Sequence, residues 1–255
     1  TNNRSTSDNI GYSSNNNLLY QHKFGKPRRT ISLNLSNSLN EKTGDGTYTS
    51  SNHFYTPADS IYSLNQQSDL YNKGNTFSGN VTYTEPVGKK GQIMANYNPS
   101  YSNSSADKET FNQNLTTQQY TDLDPRYSNK YENTYITQKG GLSYRIGDRK
   151  LNFNFGANVQ YATLHGEQEY PNNFTLDRNF TSVLPTAMFN YKYADGRNLR
   201  IMYRTNTQAP SVNQLQNVVD ISNPLLLKSG NAGLRQNYEQ TFIVRYGLTK
   251  AKTAR

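Results

Sequence analysis

The chain reads as an all-β protein, an antiparallel up-and-down transmembrane β-barrel. The sequence holds a partial set of about nine strands with long extracellular loops. Three observations predict this. Apolar residues recur at every second position in one segment after another, the period of a two-faced strand. The connections alternate between tight turns and long polar stretches. The composition pairs 33% hydrophobic residues with 21 Tyr and 10 Phe. That is little apolar mass for a large dry core, since typical domains are about 45–50% apolar, yet it is too aromatic for disorder.

The strands follow in order. Leu18–Phe24 is the first. In residues 31–35, Ile31, Leu33 and Leu35 oppose Ser32 and Asn34. Phe77, Val81 and Tyr83 oppose Asn80 and Thr82. Ile93, Ala95 and Tyr97 oppose Met94 and Asn96, a weaker alternation. Leu142 and Tyr144 oppose Ser143 and Arg145. Residues 151–161 are the clearest: Leu151, Phe153, Phe155, Ala157, Val159 and Tyr161 on one face, Asn152, Asn154, Gly156, Asn158 and Gln160 on the other. Val183–Tyr191 comes next. Leu199, Ile201 and Tyr203 then oppose Arg200, Met202 and Arg204, and Phe242, Val244, Tyr246 and Leu248 oppose Ile243, Arg245 and Gly247.

Five connections are short: Gly25-Lys26-Pro27-Arg28, Gly88-Lys89-Lys90-Gly91, Ile146-Gly147-Asp148-Arg149, Ala194-Asp195-Gly196-Arg197 and Thr249-Lys250-Ala251. Glycine and proline there supply tight turns. Four are long: 41–75, 104–133, 164–179 and 207–237. Loops of that length are uncommon in compact soluble domains. Short turns at one end and long loops at the other describe a membrane barrel, whose strands need about 9–11 residues to cross.

A soluble β-sandwich also alternates, with its apolar face inward. Two features favour the barrel. An aromatic precedes every short turn (Phe24, Tyr83, Tyr144, Tyr191, Tyr246) and falls on the apolar face, as an interfacial girdle does; Tyr97, Tyr161 and Tyr203 suit the opposite girdle. Charge is also sorted. The short-turn side carries 14 of the 27 basic residues, and the long connections hold 13 of the 18 acidic ones, among them Asp107, Asp122, Asp124, Glu167 and Glu169. A basic rim suits anionic headgroups.

Other classes are excluded or disfavoured. No run approaches the roughly 20 apolar residues of a spanning helix. With no Cys, disulfides, Cys-based zinc sites and cysteine nucleophiles are out. The net charge of +9 is spread over turns separated by whole hairpins, so nucleic acid is not an expected partner. No P-loop, G-x-S-x-G or dinucleotide fingerprint occurs. Glu167 follows His165 at strand spacing, but a solvated pair is the better reading than a metal site. Asp122-Leu123-Asp124-Pro125 offers calcium-type oxygens without the rest of a calcium loop, so a turn is expected. The expectation is a protein without enzyme activity, cofactor or metal. The polar run from Thr1 has no leader-like basic and apolar regions, and TKAKTAR follows a strand without a closing signal. A piece of a longer protein is expected, against a complete small secreted domain.

Residues 185–246 carry a more specific pattern: Tyr203-Arg204-Thr205, Pro210-Ser211-Val212, Gln214-Leu215, Asn223-Pro224-Leu225, Gly230-Asn231 and Leu234. This resembles the barrel portion of TonB-dependent outer-membrane receptors of the outer membrane β-barrel family. It departs in having Arg235-Gln236-Asn237 where that family often has proline. The resemblance covers about a quarter of the chain directly. It implies a full barrel of about 22 strands around a plugged lumen, so residues 1–255 would be part of one barrel domain, with the plug domain and C-terminal strands absent from this sequence. It also implies a bacterial outer-membrane location.

The functional expectation is a receptor barrel for TonB-dependent uptake of a nutrient: a siderophore, glycan, peptide or vitamin. The alternatives are a non-energised barrel, as a porin or a component of a surface complex, and a soluble surface β-sandwich adhesin. Expected partners are outer-membrane lipid, TonB through a plug domain, a small-molecule or oligomeric nutrient, and in one reading a surface-exposed lipoprotein. Candidate ligand contacts are the loop aromatics Phe54, Tyr55, Tyr62, Tyr120, Tyr127 and Tyr170 and the lumen-facing Arg200, Arg204 and Asn206. The apolar cluster Val218, Val219, Ile221, Leu225, Leu226 and Leu227 is expected either to tuck into the barrel mouth or to bind a partner protein.

Overall fold

The computed structural model describes residues 2–55, 60–210 and 233–249, with short pieces at 214, 219–220, 228–229 and 231. Its strands are β1 (Asn2–Lys23), β2 (Thr30–Phe54), β3 (Ser60–Val87), β4 (Gly91–Gln113), β5 (Tyr120–Leu123), β6 (Asn129–Gly147), β7 (Leu151–Tyr170), β8 (Phe174–Ala194), β9 (Arg197–Gln208), β10 (Val219–Asp220), β11 (Lys228–Ser229) and β12 (Asn237–Leu248). One 10-stranded antiparallel sheet runs β1-β2-β3-β4-β6-β7-β8-β9-β12, with β5 paired to β4 alone. The nine strands of this path contain the nine alternating segments read from the sequence, except that β1 stops at Lys23, one residue before Phe24. The sheet is open along β1 and β12 among the described residues.

Strand length departs from expectation. Most of the stretches 41–75, 104–133 and 164–179 are paired strand rather than loop: β2 runs 25 residues, β3 28 and β4 23. Their polar Ser, Thr and Asn pairs lack apolar alternation, yet each pairs in continuous register, as from Thr30↔Thr84 to Phe54↔Ser60. Cross-strand side chains add to the backbone ladder, with Thr6 Oγ1 2.5 Å from Thr47 Oγ1 and Ser13 donating to Asn40 at 2.8 Å. A membrane crossing takes about 9–11 residues, so these strands project well past the bilayer. The acidic residues assigned to loops mostly sit on them.

Cross-strand partners share a face, and register lines the apolar residues into rows: Tyr20, Leu33, Val81, Tyr97, Gly140, Val159 and Val183 form one. Nothing among the described residues covers that face. Phe155 is 47% exposed and Val159 55%. In a sandwich these residues would be the core, so the soluble alternative fails. On β7 the apolar stretch Leu151–Tyr161 measures about 33 Å at about 3.3 Å per residue. At the usual tilt of about 40° this is about 25 Å vertically, the height of a barrel's apolar band. The band shifts between strands: on β7 it begins at Leu151, on β2 only at Ile31, which aligns with Ala157 through Tyr83, Ala95 and Leu142. Such an offset is the stagger that tilted barrel strands require.

The opposite face is polar and closes on itself. Ser36 and Ser78 hydroxyls meet at 2.7 Å, Thr76 and Ser102 at 2.9 Å, and Asn80 donates to Asn98. Asn96 on β4 reaches Asn158 on β7 at 2.8 Å across β6. Gly141 makes this possible, because a Cβ there would collide with Ala157 O and Asn158 Oδ1. Farther along the same face, Leu164 and Leu176 are buried against Tyr135, Phe174 and Phe180. This is the concave, lumenal face.

The short turns form a stitched rim. Arg28 donates to Gly88 O at 3.0 Å, Lys90 pairs with Asp148 at 2.8 Å, and Thr249 N donates to Gly196 O at 2.7 Å. Gly88 and Gly196 have φ of 62° and 71°, which favours glycine. Asp148 also accepts the Lys150 and Leu151 N–H groups, and with Lys90 these hold its carboxyl below the usual carboxylate range. Residues 250–251 of the fifth turn lie outside the described residues.

Candidate functional site

The site is built where β1–β4 project beyond the apolar band. On their concave face lies a cavity of about 470 Å³ lined by Tyr48, Tyr62, Gln66, Lys108, Thr110 and Tyr127. Strand alternation places Tyr48, Tyr62, Gln66, Lys108 and Thr110 on this face, all at even positions of β2, β3 and β4. Gln66 is buried and donates to Asn112 Oδ1 at 3.0 Å. Tyr62 is half exposed and free to meet a ligand.

Tyr127 arrives from a turn, and the chain fixes that turn through Asp124. Asp124 N donates to Thr110 O at 2.8 Å, Thr110 Oγ1 donates to Tyr127 O at 2.9 Å, and Ser128 Oγ donates to Asp124 O at 2.8 Å. The Asp124 carboxylate is 3% exposed as a residue and takes Arg126 Nε at 3.1 Å and Nη2 at 2.9 Å, and Asn112 at 3.2 Å. Arg126 beside it holds the Asp124 carboxyl below its ordinary range. The turn expected at 122–125 is shifted: Asp122 and Leu123 belong to β5, the turn spans residues 125–127, and the Asp124 carboxylate before it is committed to an arginine and an amide. Arg126 also lies over the Tyr127 ring, 5.9 Å from its centroid, a cation–π contact at the edge of the cavity that Tyr127 lines.

The other sequence candidates separate. Phe54 pairs with Ser60 at the tip of the β2–β3 hairpin, and its side chain lies outside the described residues. Tyr55 is exposed at the same tip, its ring 4.2 Å from His53. Tyr120 faces away from the cavity: its hydroxyl donates to Asn65 Oδ1 at 2.9 Å and fastens β5 to the outward side. Tyr170 pairs with Lys130 where β7 ends. Arg200, Arg204 and Asn206 line the lumenal face of β9, exposed, opposite Asn190, Thr186 and Glu239. β9 is five strands from β3 in the sheet, so these residues belong to the lumen wall and not to the outer cavity.

His165 and Glu167 sit on the outward face of β7, where His165 Nδ1 is 2.6 Å from Asp177 Oδ1 and Nε2 is 3.3 Å from Glu167 Oε1. Among the described residues no cluster of three or more His, Cys, Asp or Glu could hold a metal ion. Tyr48, Gln66, Lys108 and Thr110 escaped the sequence reading because they fall in stretches taken as loop; even-position parity continued from Thr82 and Asn80 was the signal that could have found them. The same parity marks Leu164, Phe174, Leu176 and Phe180 as lumenal. The side chains of the Val218–Leu227 cluster lie outside the described residues. After it, Gln236 is held to the lumenal face: its Nε2 donates to Tyr135 Oη at 2.9 Å, and Ser182 Oγ donates to its Oε1 at 3.2 Å.

No curated protein matches this chain at a significant level. Residues 22–254 match the Outer membrane protein beta-barrel family. The outward apolar band, the polar lumenal face and the up-and-down topology are what that match requires of the structure, and the chain belongs to the outer membrane protein beta-barrel family of the bacterial outer membrane.

Proposed function

We propose that this barrel is a receptor that captures a nutrient at its outer mouth and admits it through a gated lumen, with TonB supplying the energy through a plug domain. The observation that carries the reading is the cavity of about 470 Å³ on the concave face beyond the membrane band, with Tyr62, Tyr127 and Lys108 in its wall. Aromatic rings with hydroxyl and ammonium groups can stack on and hydrogen-bond a polar nutrient in a concave site. One further observation supports it: the pattern from Tyr203 to Leu234 resembles energised receptors.

Uptake by cells expressing the full-length protein tests this. Import of a siderophore, glycan, peptide or vitamin that is lost on gene deletion, stopped by a protonophore and weakened by Tyr62→Ala with Tyr127→Ala is the expected result. Protonophore-insensitive uptake, or a steadily open conductance in planar bilayers, would refute it in favour of a non-energised barrel.

A further inference from the structure

The outward face of β1–β4 and β6 carries a groove of about 720 Å³. Its floor is Gly79, which has no side chain, and its neighbour Pro99. The β3–β4 ladder pairs Ser78 with Ser100 and next Val81 with Tyr97; between them Pro99 has no N–H to give. A Cβ on Gly79 would touch Pro99 Cγ at 3.4 Å and Leu35 Cδ2 at 3.7 Å, so the floor is closely packed while the space above it is open. Leu18, Leu35, Phe77 and Ile136 wall the groove. They are all exposed, Leu18 to 65%.

The groove is continuous with the apolar band, which in an outer-membrane barrel faces lipid. It lies at the end of that band away from the short turns: on β3 the band runs from Tyr83 to Phe77, and Phe77 and Gly79 are its far rows. Short turns are periplasmic in such barrels, so the groove opens into the outer leaflet. A hydrocarbon chain is what that environment offers, and an empty groove would forfeit the dispersion contacts of its walls. Asn16 and Gln138 stand among the lining residues and supply amide donors for the polar end of a lipid, whereas the Asn37 amide is engaged by Asn75 and Thr76. We propose that the Gly79–Pro99 groove is a binding site for an acyl chain of an outer-leaflet lipid.

Photo-cross-linking in the full-length protein tests the proposal. Benzoylphenylalanine replaces Phe77 in the groove or, as a control, Val159 on the ungrooved band of β7, and radiolabelled lipid A is titrated into detergent micelles. The expected result is saturable capture at position 77 and a linear, unsaturable rise at position 159. Gly79→Leu, which fills the groove, should reduce position 77 to the behaviour of position 159. Leu35→Asn, which leaves the backbone unchanged, should do the same if the leucine variant fails to fold. Parallel linear capture at both positions would overturn the site. Saturation by a diacyl phospholipid but not by lipid A would overturn its assignment to the outer leaflet.

Discussion

Phe155→Arg asks the membrane what the sheet's two faces are. Phe155 lies on the outward row with Tyr144 and Ala187, and its ring packs edge-on to Tyr144 with centroids 5.9 Å apart. It is four residues beyond Leu151, where the band begins on β7. At about 3.3 Å per residue and a tilt of about 40°, that is about 10 Å up a band about 25 Å tall, within about 3 Å of the midplane. Arginine there should cost about 2–4 kcal/mol. Asn154 faces the lumen and pairs with Arg145 and Met188. Arginine at 154 stays hydrated and meets a like charge across the strand pair, which costs roughly 0.2–1 kcal/mol. Urea titration of the full-length protein folded in phospholipid vesicles, read by heat-modifiability on gels, measures both. Equal costs, or a larger cost at Asn154, would mean that the Phe face is not in lipid and would refute the barrel geometry.

Four further outcomes are expected. A protease site inserted at Leu115, which is 87% exposed at the β4–β5 turn, should be cut in intact cells, whereas one at Lys89 should be cut only after permeabilisation; the reverse pattern would invert the orientation. Gly141→Val should destabilise by roughly 1–3 kcal/mol through overpacking against Ala157 and Asn158, with Gly74→Ala near neutral because a Cβ there meets nothing within 4 Å; urea midpoints decide this. The Asp124 carboxyl has a depressed folded-state pKa, so its stabilisation is present above the unfolded value of about 3.9 and is lost as pH falls through the folded value. Protection factors across 110–128, taken relative to the intrinsic exchange rate at each pH, should therefore fall in acid, and Asp124→Asn should lower them at pH 7 and flatten the dependence. Tyr62→Ala should weaken capture of the imported nutrient by about 1–2 kcal/mol, roughly 5–30-fold in Kd, with Arg200→Ala leaving initial capture unchanged; equal effects would move the site into the lumen.

Parity along short segments was enough for the sequence to determine the strands that cross the membrane and the side each presents. Leu151 to Tyr161 alternates because one face meets lipid and the other the lumen, and no partner strand is needed to see it. The aromatics before the turns were legible for the same reason: Tyr83, Tyr144, Tyr191 and Tyr246 sit on the outward rows, while Phe24 falls just past β1, packed on His22 and Tyr83. Beyond the bilayer both faces are wet, so the alternation fades. Stretches such as Glu41–Tyr48 then read as loop, although pairing with β1 and β3 makes them strand. Only that pairing, a relation between residues far apart in the chain, brings Tyr62, Lys108 and Tyr127 to one cavity. It also turns Tyr120 outward and leaves Arg200 five strands away. The groove at Gly79 and Pro99 has the same origin: each residue alone is a weak strand position, and only the register that sets them beside each other makes a floor for lipid.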